Sequence, residues 1–539
     1  MAMEFLKRVQ LDEPEVDKRL NSISQNLIQE NRSKIISIIK TIIFCGTTGC
    51  PLRGKTEEKG IFFKLIHFRI DTGDEILRKH IVSGNKNGKY LSPTIQNELI
   101  NECGQVIAKG IVSEINSSVG FTVLADETAD INGHEQLSVA VRFISESEAR
   151  SCIREEFLGF SDLHADLTAE SISKSILNFL QYLGINMELL VGQGYDGCST
   201  MAGKVNGVKS IILKRYTSAI FVHCASHCLN LAINDLSRLP TIRNTVDMIK
   251  STIKYFQYSV IRSGVLKLKS LCETRWTEKY KSVSHFYNNF IDIVKTLEDF
   301  TCIHPALLNS SFIINLIVIS KYSAVIEPIA QMFQAPRIDL SEVWKHIELL
   351  ILNLKQHKEN SESEFSIIWH EGLEIAAKFN LELSFPRIVN RQLYRSNISD
   401  PNIDNAEDYY RTSVFMPYLD DLITSLEDRF SGHNKVVLKL ATIHPMYFKE
   451  LTKQDFLQKL SNIVEHYSTQ FHTRSLLDEG SIWFDIWKAR DPKTYHITFM
   501  ELLSESSDFF PTITICIKIF LRLPVTTSSV KRSFLLYVG

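Results

Sequence analysis

Three acids follow a short apolar run in Phe121–Asp130 (FTVLADETAD): Asp126, Glu127 and Asp130. Seventy residues on, a second apolar run, Leu189–Val191, leads through Gly192-Gln-Gly-Tyr to Asp196. Carboxylates are oxygen ligands, and Mg²⁺ is commonly held by one or two of them. Two cations about 4 Å apart on such ligands stabilise both the attacking and the leaving oxygen of a phosphoryl displacement. Asp126 and Asp196 are therefore the first candidate site, for Mg²⁺ or Mn²⁺. Against it stands the commoner use of an acid at a strand end, as a solvated loop residue or a helix N-cap. The second cluster is His223-Cys224-Ala-Ser-His227-Cys228; if helical, it puts the two histidines on one face and the two cysteines on the next. Zinc needs four converging ligands, and each face offers two. Cys45 and Cys50 have only His67 and His80 nearby, so zinc is not expected there either. The third is Cys272-Glu-Thr-Arg275-Trp276, inside Arg243–Lys281, where nine Lys/Arg meet three acids. Arginine grips phosphate oxygens in a fork and an indole face stacks on an unpaired base. A solvated basic face anchored by a tryptophan explains the same pattern equally well. Gly192-Gln-Gly194 lacks the residues of a phosphate-binding loop, which excludes a nucleotide-binding reading.

The elements that must position these residues follow from periodicity. Phe121–Ala125 reads as a strand ending at Asp126, and the alternations Leu137–Phe143 and Cys152–Phe160 read as two more. Thr168–Tyr182 spaces Ile172, Ile176, Phe179 and Leu180 on one helical face, and Gly184 ends it. A strand reaches Asp196, a helix spans about 199–214, a strand covers Ala219–Val222, and a helix carries His227. The order β-β-β-α-β-α-β-α predicts a mixed sheet with helices on its faces. From about 241 to 505 strand signals nearly vanish and helical faces recur, with Asp339 and Glu342 as a capping pair. Asn397–Asn405 reads as a loop.

The 539 residues suffice for two to four domains. A net charge of −2 excludes a bulk basic protein, so any nucleic-acid surface is a local patch. Ten cysteines without regular spacing and no signal peptide predict a reducing compartment. The apolar runs Phe312–Ser320 and Ile513–Leu523 are too short, or too charged, to span a bilayer, so no membrane partner is expected.

LADETAD, GYDGCSTMAG, HCASHCLNLA, CETRW and LPVTTSSVKRSF, in this order, resemble the hAT superfamily of DNA transposases. More narrowly they are similar to its domesticated zinc-finger MYM-type, TTF-type and transposase-derived repressor-like branch, as are Arg391–Asn397 and Tyr409–Phe430. The resemblance implies an α/β RNase H-like domain interrupted by a large all-α insertion. Residues 1–115 are then a mainly helical remnant of the DNA-binding part and 116–240 the first part of the core. Residues 241–505 are the insertion, and 506–539 the closing segment with the start of a dimerisation motif. It implies Asp126 and Asp196 as the first two acids of a catalytic Asp, Asp, Glu triad. Cys224 and His227 match the family's Cys-x-x-His, and Arg275 and Trp276 its DNA-contacting Arg-Trp pair. Where the third acid is expected, in Ser529-Val-Lys531-Arg532-Ser-Phe534, this chain has Lys531. A protonated lysine repels a metal ion, so the expectation is a fold retained and catalysis lost. The family's N-terminal zinc finger is not recognisable, and its dimerisation segment is expected to continue beyond Phe534. The resulting reading is a nuclear, transposase-derived, DNA-contacting or regulatory protein, with homodimerisation open. The alternatives are an active Mg²⁺-dependent transposase and a protein-interaction scaffold or repressor.

Overall fold

The computed structural model describes residues 16–56, 59–83, 88–129, 133–147, 150–163, 166–270, 276–299, 307–335, 338–386, 405–431, 435–467, 473–506 and 509–531. Asp130, Cys272–Arg275, Arg391–Asn397, most of the predicted loop Asn397–Asn405 and Arg532–Phe534 lie outside the described residues. The chain divides into two compact units, 1–113 with 535–539, and 114–534.

The smaller unit is helical: α1 (Val16–Thr48), α2 (Ile61–Asp71), α3 (Glu75–Ser83) and most of α4 (Pro93–Ser117). Its core is small, with Ile38, Ile42, Phe62, Ile66 and Leu77 buried together. Cys45 is buried at the end of α1, and its carbonyl accepts from Cys50 N at 2.9 Å. This pair closes a helix end.

The larger unit contains a five-stranded sheet of order β3-β2-β1-β4-β5. Its strands are β1 (Phe121–Ala129), β2 (Glu135–Ser147), β3 (Arg150–Asp162), β4 (Leu190–Tyr195) and β5 (Ile220–His223). The first three are antiparallel; β4 joins β1, and β5 joins β4, in parallel. The mixed sheet with a helical region is thus as the periodicity predicts. β1 begins with five consecutive buried residues, the signature of a strand covered on both faces. Helix α5 (Ala169–Tyr182) starts where Thr168 Oγ1 accepts from Ser171 N, and Gly184, at φ +83°, turns the chain out of it. The predicted helix 199–214 is instead two pieces, α6 (Ser199–Ala202) and α7 (Val208–Arg215). Gly203 and Gly207 meet backbone to backbone between them, and a Cβ on Gly207 would lie 2.4 Å from Gly203 N.

Beyond α8 (Ala225–Asp235) and α9 (Pro240–Gln257) the regular elements among the described residues are helices up to Arg522. The sheet residues Val191, Ile220 and Val222 share one apolar core with these helices. Helix Ser310–Met332 is longer than its apolar run predicts and continues through Pro328. It is long and apolar enough to cross a membrane, yet its most apolar stretch is 61% buried, as in the centre of a helical core.

One face of the sheet is closed by the segment after helix Pro511–Arg522. Ala225 N donates to Val525 O at 2.8 Å, Ser138 Oγ donates to Val530 O at 3.4 Å, and Val530 packs on Leu124 and Ala140. The glycines of β4 make room for it: a Cβ on Gly194 would stand 2.5 Å from Pro524 Cγ and 2.9 Å from Leu124 Cδ2. A pyrrolidine ring cannot swing away, so Gly194→Ala is expected to lower stability by roughly 1–3 kcal/mol, read by urea unfolding.

Burial also ties stability to pH. His444 Nε2 donates to Ile497 O at 2.8 Å, while Nδ1 accepts from Met446 N at 3.2 Å. The bond from Met446 N requires an unprotonated Nδ1, and burial holds the His444 pKa below the usual histidine value, against the Ile497 bond that raises it. A histidine depressed in the folded state contributes full stability above its unfolded pKa, about 6.5, and loses it as pH falls towards the folded value. The urea midpoint is expected to drop between pH 7 and 5, and less steeply in His444→Gln.

Candidate functional site

The strand register creates the site. Leu124 pairs with Gly194 across the parallel β1–β4 ladder. Two residues further on each chain bring Asp126 and Asp196 side by side on one face, at the carboxyl edge where open α/β sheets bind ligands. Asp126 is not at the end of its strand, as its sequence suggests. It lies inside β1, paired with Ser138, because β2 extends far enough to carry the ladder to Ala129. Asp196 follows β4 and its Oδ1 accepts from Cys198 N at 3.2 Å, which shapes the turn into α6.

A pocket of about 390 Å³ opens here, lined by Asp126, Glu127, Glu135, Asp196, Cys198 and Met201 among others. Burial, and then the charges of Asp196 and Glu127, push the Asp126 carboxyl up to about 7, against the lowering effect of Lys531. Glu127 is raised as well, by burial first and then by Asp196 and Glu135, and its Oε1 is buried with no hydrogen-bond partner among the described residues. Glu135, Cys198 and Met201 were not read as site residues. Glu135 enters through the hairpin, opposite Ala129, and no sequence spacing marks it.

Lys531 is brought to this pocket. The segment that covers Leu124 ends in a helical turn in which Lys531 N donates to Thr527 O at 3.1 Å. Its Nζ stands 3.8 Å from Asp126 Oδ1, with the lysine side chain 47% and the aspartate 12% exposed. The cation that the acids call for is therefore supplied, at least at Asp126, by the chain itself. Of the pocket's carboxylates, Asp126 is the one set against the ammonium group, while the buried Glu127 Oε1 has no hydrogen-bond partner among the described residues. Among the described residues no three His, Cys, Asp or Glu side chains converge as a metal-binding group.

The histidines flank the pocket, with a change of element. His223 is the last residue of β5, opposite Tyr195, and only His227 is on α8, so the helical reading of the pair is corrected. Their rings still meet, 5.5 Å between centroids. His223 packs on the turn after Asp196, where a Cβ on Gly197 would lie 2.2 Å from its Nε2. Burial, with His227 beside it, lowers His223 to about 4, and burial lowers His227 too. Burial thus disfavours the charged form of both rings. Cys224 turns inward, away from solvent. It is 4% exposed, and its Sγ accepts from Thr527 N at 3.4 Å, holding the covering segment instead of facing a nucleic acid. Trp276 opens helix Trp276–Asn288, and Arg275 lies outside the described residues.

Residues 1–207, which include β1 to β4 and both aspartates, match the family model described as "DUF4371: ZMYM1/FAM200, RNase-like domain". The chain is 24% identical over 549 aligned residues to the human "52 kDa repressor of the inhibitor of the protein kinase", covering 92% of this chain and 70% of that protein. The mouse protein of the same name is 23% identical over the same shares. Similarity to repressor-type proteins thus extends over nearly the whole chain.

Proposed function

We propose that this protein is a nuclear regulatory descendant of a hAT-type transposase, in which an RNase H-like core carries a large helical insertion and no longer performs strand transfer. The observation that carries this reading is Lys531 Nζ at 3.8 Å from Asp126, on the same sheet face as Asp196. In the family's pattern the third catalytic acid occupies that position. An ammonium group there contributes charge where a carboxylate would hold Mg²⁺ or Mn²⁺. The family match to an RNase-like domain and the repressor-type relatives support the descent. DNA contact is assigned to the basic stretch Arg243–Lys281.

The test is an end-nicking and hairpin-formation assay on labelled duplex DNA with Mg²⁺ and with Mn²⁺. No cleavage above buffer is expected. Cleavage that Asp126→Asn abolishes would overturn the proposal and restore the active-transposase reading. The scaffold reading, in which the helical region binds protein only, separates through salt. DNA affinity that falls steeply with salt supports phosphate contact, and the scaffold reading requires none.

A further inference from the structure

We infer that the α9–α10 corner is a stacking platform for single-stranded DNA, where α10 is helix Val260–Val265. This rests on the DNA-contact reading of Arg243–Lys281 and names the form of DNA that it fits. From Met248 to Ser270 the chain has five Lys/Arg and no acid. Lys254, Lys267 and Lys269 are exposed and form no ion pair among the described residues.

The corner is also unusually apolar for a solvated basic face. Tyr258, at the end of α9, is 83% exposed, and Ile261 and Val265 on α10 are 72% and 61% exposed. Beside them the half-buried Arg262 guanidinium lies 3.7 Å from the centre of the half-buried Tyr255 ring, a cation–π pair already in place at the edge of the corner. The platform is fixed from both ends. Ser259 Oγ accepts from Arg262 N, which starts α10. Gln257 Nε2 donates to Leu268 O at 3.1 Å and to Ser270 Oγ at 2.9 Å, which pins the following segment to α9.

In that segment Lys267 points out, Leu268 is buried and Lys269 points out. Alternation of this kind spaces the two ammonium groups about 7 Å apart along one edge, so each can take a separate phosphate. Exposed ring, stacked guanidinium and paired cations are what an unpaired strand offers partners for: π-faces on one side and a phosphate row on the other. A duplex hides its base faces and would use only the cations. An acidic protein surface would leave Tyr258 and the Tyr255–Arg262 stack without a role.

Fluorescence anisotropy of the full chain with a labelled 20-nucleotide oligothymidine and a 20-base-pair duplex tests this. The single strand is expected to bind at least tenfold tighter. Tyr258→Ala, at a solvent-exposed position, is expected to weaken it by roughly 5- to 100-fold and to leave duplex affinity unchanged. Lys267→Gln with Lys269→Gln is expected to weaken both forms and to lower the salt slope for the single strand by about 1.4. Equal affinity for both forms with no effect of Tyr258→Ala overturns the platform and leaves DNA contact standing. No salt-dependent binding to either form overturns both. Binding to vesicles of anionic lipid that Tyr258→Ala abolishes, with the oligothymidine bound no tighter than the duplex, assigns the corner to a membrane surface and overturns the platform as well.

Discussion

Arg142→Met is expected to destabilise the larger unit by about 3–5 kcal/mol, the cost of leaving one member of a buried ion pair without the other. Arg142 Nη1 donates to Glu155 Oε1 at 2.7 Å, with the two side chains 0% and 1% exposed. Its other nitrogens reach beyond the sheet. Nε donates to Leu521 O at 3.1 Å and Nη2 to Ile338 O at 2.8 Å. One guanidinium thus joins β2 and β3 to the end of helix Pro511–Arg522 and to the entrance of helix Leu340–Glu359. Methionine fills much of the space but strands the Glu155 carboxylate and two carbonyls. Lysine would restore the charge without the fork, and Arg142→Lys is expected to recover less than half of the loss. Arg522 is the control. It is equally buried, yet its three guanidinium nitrogens have no hydrogen-bond partner among the described residues. Replacing a buried unpaired charge with an apolar side chain removes a desolvation cost, so Arg522→Met is expected to leave stability unchanged or raise it. Chemical unfolding of the three variants checks this; a loss in Arg522→Met as large as in Arg142→Met would show that shape, not pairing, decides both sites.

Lys531→Glu is expected to raise the affinity of the pocket for divalent cations. A unit charge at about 4 Å contributes on the order of 1 kcal/mol in water and several times that in a partly buried site. With Lys531 half exposed the lower figure applies. The substitution changes two unit charges acting on a doubly charged ion, about 4 kcal/mol before salt screening, so Mn²⁺ affinity by calorimetry should rise by up to roughly 1000-fold. Lys531→Met should fall between. Without metal, Lys531→Glu adds a third carboxylate beside Asp126 and Asp196, and its melting temperature should drop and recover on adding Mn²⁺. Unchanged affinity in both variants would mean that Lys531 is not the counter-ion of this pocket.

Much of the sheet is legible in the residues. The apolar run of β1, the alternations of β2 and β3 and the apolar face of Thr168–Tyr182 each reflect a local preference that tertiary packing reinforces. The boundaries are less so. Asp126 ends the apolar run, but the ladder with β2 continues through it, because pairing depends on the partner strand as well as on side-chain hydropathy. The split between α6 and α7 is hidden because Gly203 and Gly207 act through backbone contact, which no periodicity records. Nothing in the alternation of Leu137–Phe143 marks Arg142 as buried, because its partners Leu521 and Ile338 are far away in sequence. For the site, motif order singles out Asp126, Asp196 and Lys531, whereas the reason they meet lies in the register of Leu124 with Gly194 and in Val530 packing over Leu124. Cys224 shows the opposite limit, since a motif position says nothing of which way a side chain turns.

The segment that covers β4 has a consequence for synthesis. Gly194 and Pro524 are neighbours in space and 330 residues apart in the chain. At roughly 5–20 residues per second, about 15–65 s pass between the emergence of β4 and that of the segment that seals it. During that interval the glycine face of the central strands and both aspartates have no cover, and the nascent sheet presents an apolar surface to chaperones and to other chains. Ribosome-bound intermediates stalled before residue 520 should therefore be captured by such holdases, and those stalled with Val530 outside the exit tunnel released.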